Sequence, residues 1–275
     1  MDNREKVVVV RDLYKAFGEL EVLKGVDMDL YREENLVVLG RSGTGKSVLI
    51  KIMVGLLRQD SGSMEVFGKE ISRLGVRELN EMNSGTIVIK STVTPDIITS
   101  LVRFKRFVYN PEFLTERNAF DEFINPKFHV IGGDEEFTTR LKWLYKYDSN
   151  CNPAPIYFMT IQEASLVKYG INSFLAMKVV WFNQWKDMCE REGARYGVVS
   201  NAIGNDNRIG HSHMTVPGFD GKKGFGGSCF PKDTSAIYNY DINLTVLKAV
   251  IDANNIYRSE YPLGIREIAQ GIRYE

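Results

Sequence analysis

The stretch Leu39–Lys51 reads LGRSGTGKSVLIK, and the apolar run NLVVLG leads into it. A short apolar run that stops at a glycine predicts a buried strand, and the following KSVLIKIMVGLL has the apolar spacing of a helix. Glycines in such a turn aim backbone amides at a phosphate chain, a lysine reaches the outer phosphates, and a hydroxyl ligates Mg²⁺. The residues that fit these roles are Gly40, Gly43, Gly45, Lys46 and Ser47. The stretch therefore predicts a strand, a phosphate loop and a helix, the opening of an α/β fold.

The segments around this loop continue the alternation of strands and helices. KVVVVRDLYKAF and VLKGVDMDL before it are rich in β-branched residues. After Met82 a turn precedes three further strand-like runs, TIVIKSTV, RFVYNPEF and FHVIGG, and then the helical DEEFTTRLKWLYKY. This order is typical of the later part of a parallel sheet. We place a seam between the two parts of the chain at Met82.

Residues 160–192 have apolar side chains at helical spacing and predict one long helix, with Gly170 as a point where it could break. The remainder is helical in fragments around a glycine-rich stretch, residues 215–233. The predicted fold class is α/β: a P-loop-type βα unit joined to the second half of a Rossmann-like sheet, followed by a helical domain with one long central helix. The corresponding segments are 1–82, 83–159 and 160–275.

Bulk composition excludes several classes of function. The 275 residues contain 35 Lys plus Arg and 35 Asp plus Glu, so no basic excess favours nucleic acid. The 3 cysteines are too few and too scattered for a disulfide framework or a zinc cluster. No apolar run reaches the length of a membrane span or a signal peptide. These features predict a cytoplasmic protein.

Three ordered blocks give the first part of the chain a family resemblance: VRDLYKAFGELEVLKGVDMDL, the phosphate loop, and VGLLRQDSGSMEVFGKEI. Over about residues 6–82 they resemble the first third of an ABC transporter ATPase. The resemblance implies that ATP or ADP binds the loop with Mg²⁺ at Ser47, and that Phe17 stacks on adenine; an aromatic in a small core is the alternative for Phe17. The acidic pair, glutamine loop, signature and switch histidine of that family do not follow. We therefore expect nucleotide binding with little hydrolysis.

Cys229 lies among glycines in GFGGSCFPKD. A lone cysteine is more often an inert small hydrophobe than a nucleophile. The blocks IKSTVTP, YNPEFLTERNAFDEFINPKFHVIGGD, EASLVKYGINSFLAMKV, AIGNDNRIG and GFGGSCFPKD, however, occur in the order found in UDP-glucose dehydrogenase and its nucleotide-sugar dehydrogenase relatives. This second resemblance covers about residues 85–257.

In that family an alcohol carbon is oxidised twice to a carboxylate, and two NAD⁺ accept hydride in turn. The resemblance implies that the Cys229 thiol adds to an aldehyde-level intermediate, giving a thiohemiacetal and then a thioester. Lys168 and Asn172, at i and i+4, hold the oxyanion. Glu112 and Asp233 supply water activation and acid/base chemistry. For Lys168 and Asn172 the alternative is a solvated helix face, which is the interpretation we favour for Lys178.

The same resemblance implies the surroundings of cofactor and substrate. Thr92 and Glu116 lie beside substrate and nicotinamide, with a strand-end turn and a surface carboxylate as alternatives. Arg208 crosses to the sugar of a neighbouring subunit, with a surface ion pair as the alternative, so a homodimer is one assembly to test. Phe225 and Gly226 contact the substrate. The family usually has Gly where this chain has Arg117, which alters the cofactor contacts expected near Glu116.

Two features of that family are missing. No G-x-G-x-x-G fingerprint precedes Gly85, and the phosphate loop stands in its place. The usual second nucleotide-binding domain is also not in the sequence. Three interpretations follow: nucleotide-sugar 6-dehydrogenase chemistry, impaired, fused to a partial ATP-binding segment; an ATP-binding subunit fragment of an ABC transporter, whose partner is a membrane permease; or a recombinant splice with no evolved activity.

Overall fold

The computed structural model divides into two compact units, Met1–Gly85 and Thr86–Glu275. Each unit contains its own four-stranded sheet, and the second also contains one long helix, so the predicted α/β class is confirmed. The division between residues 159 and 160 that the sequence suggested stays a prediction. The structure describes residues 5–18, 20–32, 45–53, 57–72, 86–100, 106–115 and 117–274.

The sheet of the first unit is antiparallel, in the order β2-β1-β3-β4. Its strands are β1 (Lys6–Phe17), β2 (Leu20–Tyr31), β3 (Ser61–Val66) and β4 (Lys69–Glu70). The helix α1 (Lys46–Met53) begins directly after Gly45, where the sequence predicted a helix, and contributes Leu49 and Ile52 to the core. The predicted strand NLVVLG lies outside the described residues.

A bulge in β1 decides which of its side chains are buried. Strict alternation would bury Val8, Val10 and Asp12 on one face. The pairing of β1 with both neighbours instead shifts register between Val10 and Tyr14, Asp12 takes a positive φ of 47°, and Leu13 is buried in its place. The extra residue thus keeps a carboxylate out of the apolar core.

The second unit has the strand order β5-β6-β7-β8. Its strands are β5 (Ile87–Ile89), β6 (Phe107–Tyr109), β7 (His129–Gly133) and β8 (Ile156–Met159). The prediction of a parallel sheet is wrong at the centre, because β6 and β7 pair antiparallel while β5-β6 and β7-β8 are parallel. A parallel crossover needs a helix packed on the sheet. Between β6 and β7 the only described helix, α3 (Ala119–Ile124), buries none of its residues.

Helices complete the second unit. The longest, α5 (Ile161–Arg191), is continuous for 31 residues, so Gly170 does not break it. Thr160 and Glu163 form a reciprocal capping box that fixes its start. The others are α2 (Pro95–Ser100), α4 (Glu135–Tyr147), α6 (Tyr196–Gly204), α7 (Phe230–Tyr240), α8 (Thr245–Arg258) and α9 (Ile265–Ala269). Two apolar clusters join α5 to α7 and α8, and these clusters position the site described below.

Candidate active site

Cys229 lies at the junction between the glycine loop, residues 224–228, and α7. Gly224 and Gly227 have φ of 74° and 78°, the left-handed region that glycine adopts without strain. The thiol of Cys229 is exposed, and its carbonyl accepts the Asp233 N–H at 2.8 Å to form the first turn of α7. A nucleophile at a helix N-terminus lies at the positive end of the helix dipole. The loop thus presents the sulfur to solvent at an electropositive position.

Lys168 and Asn172 lie one turn apart on the same face of α5, and both are buried, with 7% and 6% of their surface exposed. Lys168 Nζ lies 3.5 Å from Asn172 Oδ1, and Asn172 Nδ2 donates to Asp233 Oδ2 at 2.6 Å. The solvated-face alternative is therefore wrong for both residues. Asp233 is itself buried and also pairs with Lys232. The cluster connects the long helix to the helix that Cys229 begins.

The ammonium group of Lys168 is under opposing influences. Burial is the largest and lowers the pKa of Lys168, and the charge of Lys232 acts in the same direction. The negative charges of Asp233, Cys229 and Glu112 raise it, and burial outweighs them. All three groups are therefore close enough to act on Lys168 electrostatically. The structure brings together Cys229, Lys168, Asn172, Asp233 and Glu112, the five residues for which the sequence predicted catalysis; their roles stay predictions.

Glu112 follows β6 and is held by a lysine that the sequence analysis did not single out. Lys90 Nζ lies 3.3 Å from Glu112 Oε1, and it donates to Asn110 Oδ1 at 3.0 Å and to Tyr145 OH at 2.8 Å. Tyr145 OH also donates to Asn110 Oδ1 at 2.6 Å. A signal for this contact was available in the sequence. Lys90 directly follows the strand β5 and Glu112 follows β6, and parallel strands end at the same sheet edge, so the two residues could be expected near each other.

The residues predicted near the nicotinamide are only partly described. Thr92 is half-buried in the turn after β5, and the next residue, Val93, accepts a hydrogen bond from Ser165 Oγ on α5 at 2.7 Å. Glu116 lies outside the described residues. Arg117, the departure from the family pattern, is exposed, and its guanidinium carbon lies 3.6 Å from the centroid of the Phe219 ring. Arg117, which stands where the family usually has glycine, therefore makes a cation–π contact with Phe219.

The residues predicted to contact substrate have structural partners. Phe225 is buried between α5 and α8, and its N–H and C=O bond the Asn254 amide at 2.6 and 3.0 Å. A Cβ on Gly226 would lie 2.1 Å from Arg258 Nη2, so a larger residue there would have to displace the buried side chain of Arg258. The side chain of Arg208 is 88% exposed and donates to both carboxylate oxygens of Asp206. The roles of Phe225, Gly226 and Arg208 in substrate binding stay predictions.

Lys178 was expected on a solvated face of the long helix. It is buried, and its Nζ donates to the carbonyls of Ile209 and Gly210 at 2.8 and 2.9 Å. The solvated face predicted for this residue is therefore wrong, because the loop after α6 covers that part of α5.

The phosphate loop is described only at its end. Gly40, Gly43 and the side chains of Lys46 and Ser47 lie outside the described residues. Gly45 has φ of 90°, and a Cβ there would lie 2.9 Å from the Val22 carbonyl oxygen, so glycine is required. Phe17 is 49% exposed, which excludes a place in the core, and Lys15 Nζ lies 5.5 Å from its ring centroid.

The described part of the chain has neither a cluster of metal ligands nor a helix that could span a membrane. No group of three or more His, Cys, Asp or Glu side chains is arranged to hold a metal ion among the residues with described positions. In that same part of the chain, every helix is too short or too polar to span a bilayer.

Comparison with known proteins gives matches to two families. Residues 162–256 match the central domain of the UDP-glucose/GDP-mannose dehydrogenase family, and residues 23–131 match the ABC transporter family. Both resemblances inferred from the sequence are thus confirmed, and the ABC match extends past the boundary between the two units. The chain combines a dehydrogenase-family domain with an ABC-ATPase-like segment.

Several relatives found by sequence and by structure are dehydrogenases. A UDP-glucose 6-dehydrogenase of Rickettsia bellii is 39% identical over 61% of this chain and 40% of its own length. One of Bacillus subtilis is 32% identical over 78% of this chain and 50% of its own length. The structure of a UDP-glucose dehydrogenase of Pyrobaculum islandicum matches with a TM-score of 0.54 and 35% identity, over 62% of this chain and 41% of that one. The chain thus spans half or less of each of these relatives.

Proposed function

Because the chain fuses a dehydrogenase-family domain to an ABC-ATPase-like segment, we propose that its second unit carries nucleotide-sugar 6-dehydrogenase-type chemistry at Cys229. The observation that carries the proposal is the buried Lys168–Asn172–Asp233 cluster, which bonds the first turn of the helix that Cys229 begins and has the exposed thiol within electrostatic reach of Lys168. A buried ammonium group has a free-energy cost that structure alone rarely requires. Stabilisation of negative charge next to a nucleophile would explain why a lysine is buried here despite that cost.

The step that these residues support is addition of the thiolate to an aldehyde carbon. A C–S bond forms, the π electron pair of the carbonyl moves to oxygen, and the resulting alkoxide accepts a proton to give a thiohemiacetal. Lys168 stabilises the oxyanion by charge. Asn172 can join it, because its amide has two N–H groups and Asp233 accepts from only one of them.

Two carboxylates are available for proton transfer. Glu112 is half-exposed and held by Lys90, so it can meet a water molecule without losing its orientation. Asp233 is buried and bonded to Asn172 and Lys232, so it orients the oxyanion-binding amide and can exchange a proton through Lys232. We assign water activation to Glu112 and the second acid/base role to Asp233.

NAD fits these residues poorly. A dinucleotide pyrophosphate needs a glycine turn between a strand and a helix. In the second unit β5 is followed by Lys90–Thr94, which contains no glycine, before α2 begins at Pro95. We therefore propose that NAD-dependent oxidation of a nucleotide sugar is impaired.

ATP or ADP binding is the second proposed activity, and it belongs to the first unit. Its support is that α1 begins at Lys46 directly after a left-handed Gly45, and that Phe17 leaves half its surface free for a base. Mg²⁺ binding at Ser47 rests on the motif alone. A permease partner belongs only to the interpretation of this unit as an ABC subunit fragment.

A homodimer is the proposed assembly of the second unit. Phe174, Trp181 and Met188 are seven residues apart on α5, and all three are exposed. Side chains at this spacing share one face of a helix and pack against a second copy of the same helix. In such a dimer the family resemblance assigns the exposed Arg208 to the sugar bound by the neighbouring subunit. Light scattering should then give a mass near twice 31.3 kDa, and Trp181→Glu should return it to the monomer value.

Substrate protection tests the proposed function. The protein is treated with iodoacetamide with and without UDP-glucose, and the labelling of each cysteine is read by mass spectrometry; NADH formation from UDP-glucose and NAD⁺ is measured in parallel. We expect UDP-glucose to slow labelling of Cys229 and leave Cys151 unchanged, with little NADH formed. Rapid two-step NADH production would overturn the impairment. Unchanged labelling of Cys229 would instead favour a splice with no evolved activity.

A further inference from the structure

The glycine loop before Cys229 is held by side chains from three helices. Asn183 of α5 accepts the Gly224 N–H at 3.0 Å, and Asn254 of α8 accepts the Phe225 N–H at 2.6 Å. The third contact comes from the C-terminal part of the chain, where Glu267 of α9 accepts the Gly227 N–H at Oε1 over 3.3 Å. Gly227 is two residues from Cys229, so this contact is the nearest of the three in sequence.

Glu267 is a buried carboxylate, and each of its described hydrogen-bond partners is a donor. Its Oε1 accepts from Arg258 Nη2 at 2.7 Å and from Tyr274 OH at 2.6 Å, and its Oε2 accepts the Gly264 N–H at 2.6 Å. Burial alone would raise the pKa of Glu267, but the hydrogen bonds from Tyr274 and Gly264 and the charge of Arg258 outweigh it and lower the pKa. The carboxylate is therefore held as an anion in contact with the loop, and four donors fix its position: Arg258, Tyr274 and the N–H groups of Gly264 and Gly227.

Arg258 provides a comparison between two carboxylates. Its side chain is buried, and it bonds Glu267 through Nη2 and Asp220 through Nη1, both at 2.7 Å. Glu267 is buried and also touches the glycine loop, whereas the side chain of Asp220 is 44% exposed and bonds the Lys222 N–H in its own turn. Both carboxylates thus neutralise one arginine, and Glu267 additionally contacts the backbone that leads to the thiol.

We propose that Glu267 is a positioning residue for Cys229, holding the glycine loop through Gly227 so that the sulfur stays at the start of α7, the helix whose Asp233 bonds Asn172. The proposal rests on the proposed function of Cys229 as nucleophile. It gives residues 264–274, which neither family match covers, a role in the site. A Cβ at Gly226 would lie 2.5 Å from Glu267 Oε1, so the loop and this carboxylate are packed in contact.

The test compares Glu267→Gln with Asp220→Asn in the full chain. Hydrogen exchange of the peptide spanning the glycine loop reports the hold on Gly227, and the iodoacetamide labelling rate of Cys229 reports the position of the sulfur. For Glu267→Gln we expect about tenfold faster exchange of that peptide, since a charged hydrogen bond is lost, and about threefold slower labelling. Asp220→Asn removes an equal charge from Arg258 but leaves the hydrogen bond to Gly227 in place, so it should stay within about twofold of the parent in both measurements.

The outcomes separate this proposal from its premise. Equal exchange in the two variants would overturn the positioning role. If Glu267→Gln does not fold, Tyr274→Phe removes one donor from the same oxygen and should give a smaller increase in exchange, and no increase would overturn the role equally. If the proposed function fails, the labelling measurement shows it: Lys168→Met would leave the labelling rate of Cys229 unchanged. The difference in hydrogen exchange between Glu267→Gln and Asp220→Asn would remain in that case.

Discussion

Asn172 Nδ2 donates to Asp233 Oδ2 at 2.6 Å, joining the middle of α5 to the first turn of α7 across 61 residues of sequence. The bond has two consequences. It fixes the amide whose carbonyl oxygen faces Lys168 Nζ at 3.5 Å, and it holds a carboxylate near that ammonium group. The electrostatic state of Lys168 therefore depends on the packing between two helices, and the pH dependence of stability can reveal it.

The first prediction concerns stability against pH. Burial lowers the pKa of Lys168 below the 10.5 of the unfolded chain, so between these two values the unfolded state binds more protons than the folded state. The free energy of unfolding then rises with pH across that window. Lys168→Met should lack this part of the slope, as measured by urea unfolding from neutral to alkaline pH. Lys142→Met, which removes an exposed lysine of α4, is the control and should keep it. Parallel curves for the parent and Lys168→Met would contradict the prediction.

A second prediction uses His129, which stacks on Tyr145 with ring centroids 4.1 Å apart. Burial and then the charge of Lys90 lower its pKa from 6.5. Lys90→Met removes that charge, so the pKa of His129 should rise towards 6.5, as followed by NMR titration of the imidazole protons. His213, whose pKa is lowered by burial and by Lys178, is the internal control and should not move. A His129 titration identical in parent and variant would show that Lys90 does not lie where the structure has it.

A third prediction tests the bulge of β1. Gly62 has φ of 93°, and a Cβ there would lie 2.2 Å from the Asp12 carbonyl oxygen. Gly62→Ala combines backbone strain with a clash, so we expect a loss of about 3 kcal/mol or more. Gly68 has φ of 71° with nothing within 4 Å of a Cβ, so Gly68→Ala should cost only about 1–2 kcal/mol. Urea unfolding of the two variants decides this, and equal losses would argue against the register of β1 and β3.

A fourth prediction concerns the nucleotide. If the phosphate loop binds ADP, Lys46→Ala should weaken binding by about tenfold or more, because a charged contact to phosphate is lost. Calorimetric titration with ADP in the presence of Mg²⁺ measures this. Exposed Lys69→Ala on β4 serves as the control for loss of one positive charge. Steady ATP turnover that Lys46→Ala abolishes would show that an acidic partner exists that the sequence does not reveal.

Local signals made the long helix predictable, whereas the candidate residues around Cys229 came from the family resemblance. Thr160 and Glu163 form a reciprocal cap that depends on residues three apart, and the observed helix begins one residue after the predicted start. Lys168 and Asn172 share a helix face by their spacing alone. Their burial was open in the sequence, because it depends on Asp233, which is distant in sequence and reaches α5 only when α7 packs on it.

Other features depend on tertiary pairing and could not be predicted. The strand β8 is four residues long and has no fully buried side chain, so its pattern is too short to identify. The antiparallel pairing of β6 and β7 depends on a connection without a packed helix. Lys178 looked like a surface residue because lysine side chains are mostly exposed in folded proteins. Its observed partners are the carbonyls of Ile209 and Gly210, which lie on a loop distant in sequence.

The last prediction separates an electrostatically active thiol from one that is merely exposed. Cys229 is exposed, Cys151 half-buried and Cys189 buried, so exposure alone already predicts that iodoacetamide labels Cys229 first. The informative measurement is the change caused by Lys168→Met, which removes a nearby positive charge and leaves exposure unaltered. We expect labelling of Cys229 to slow by about three- to tenfold while Cys151 keeps its rate in the same digest. An unchanged Cys229 rate would mean that Lys168 does not stabilise negative charge on the sulfur.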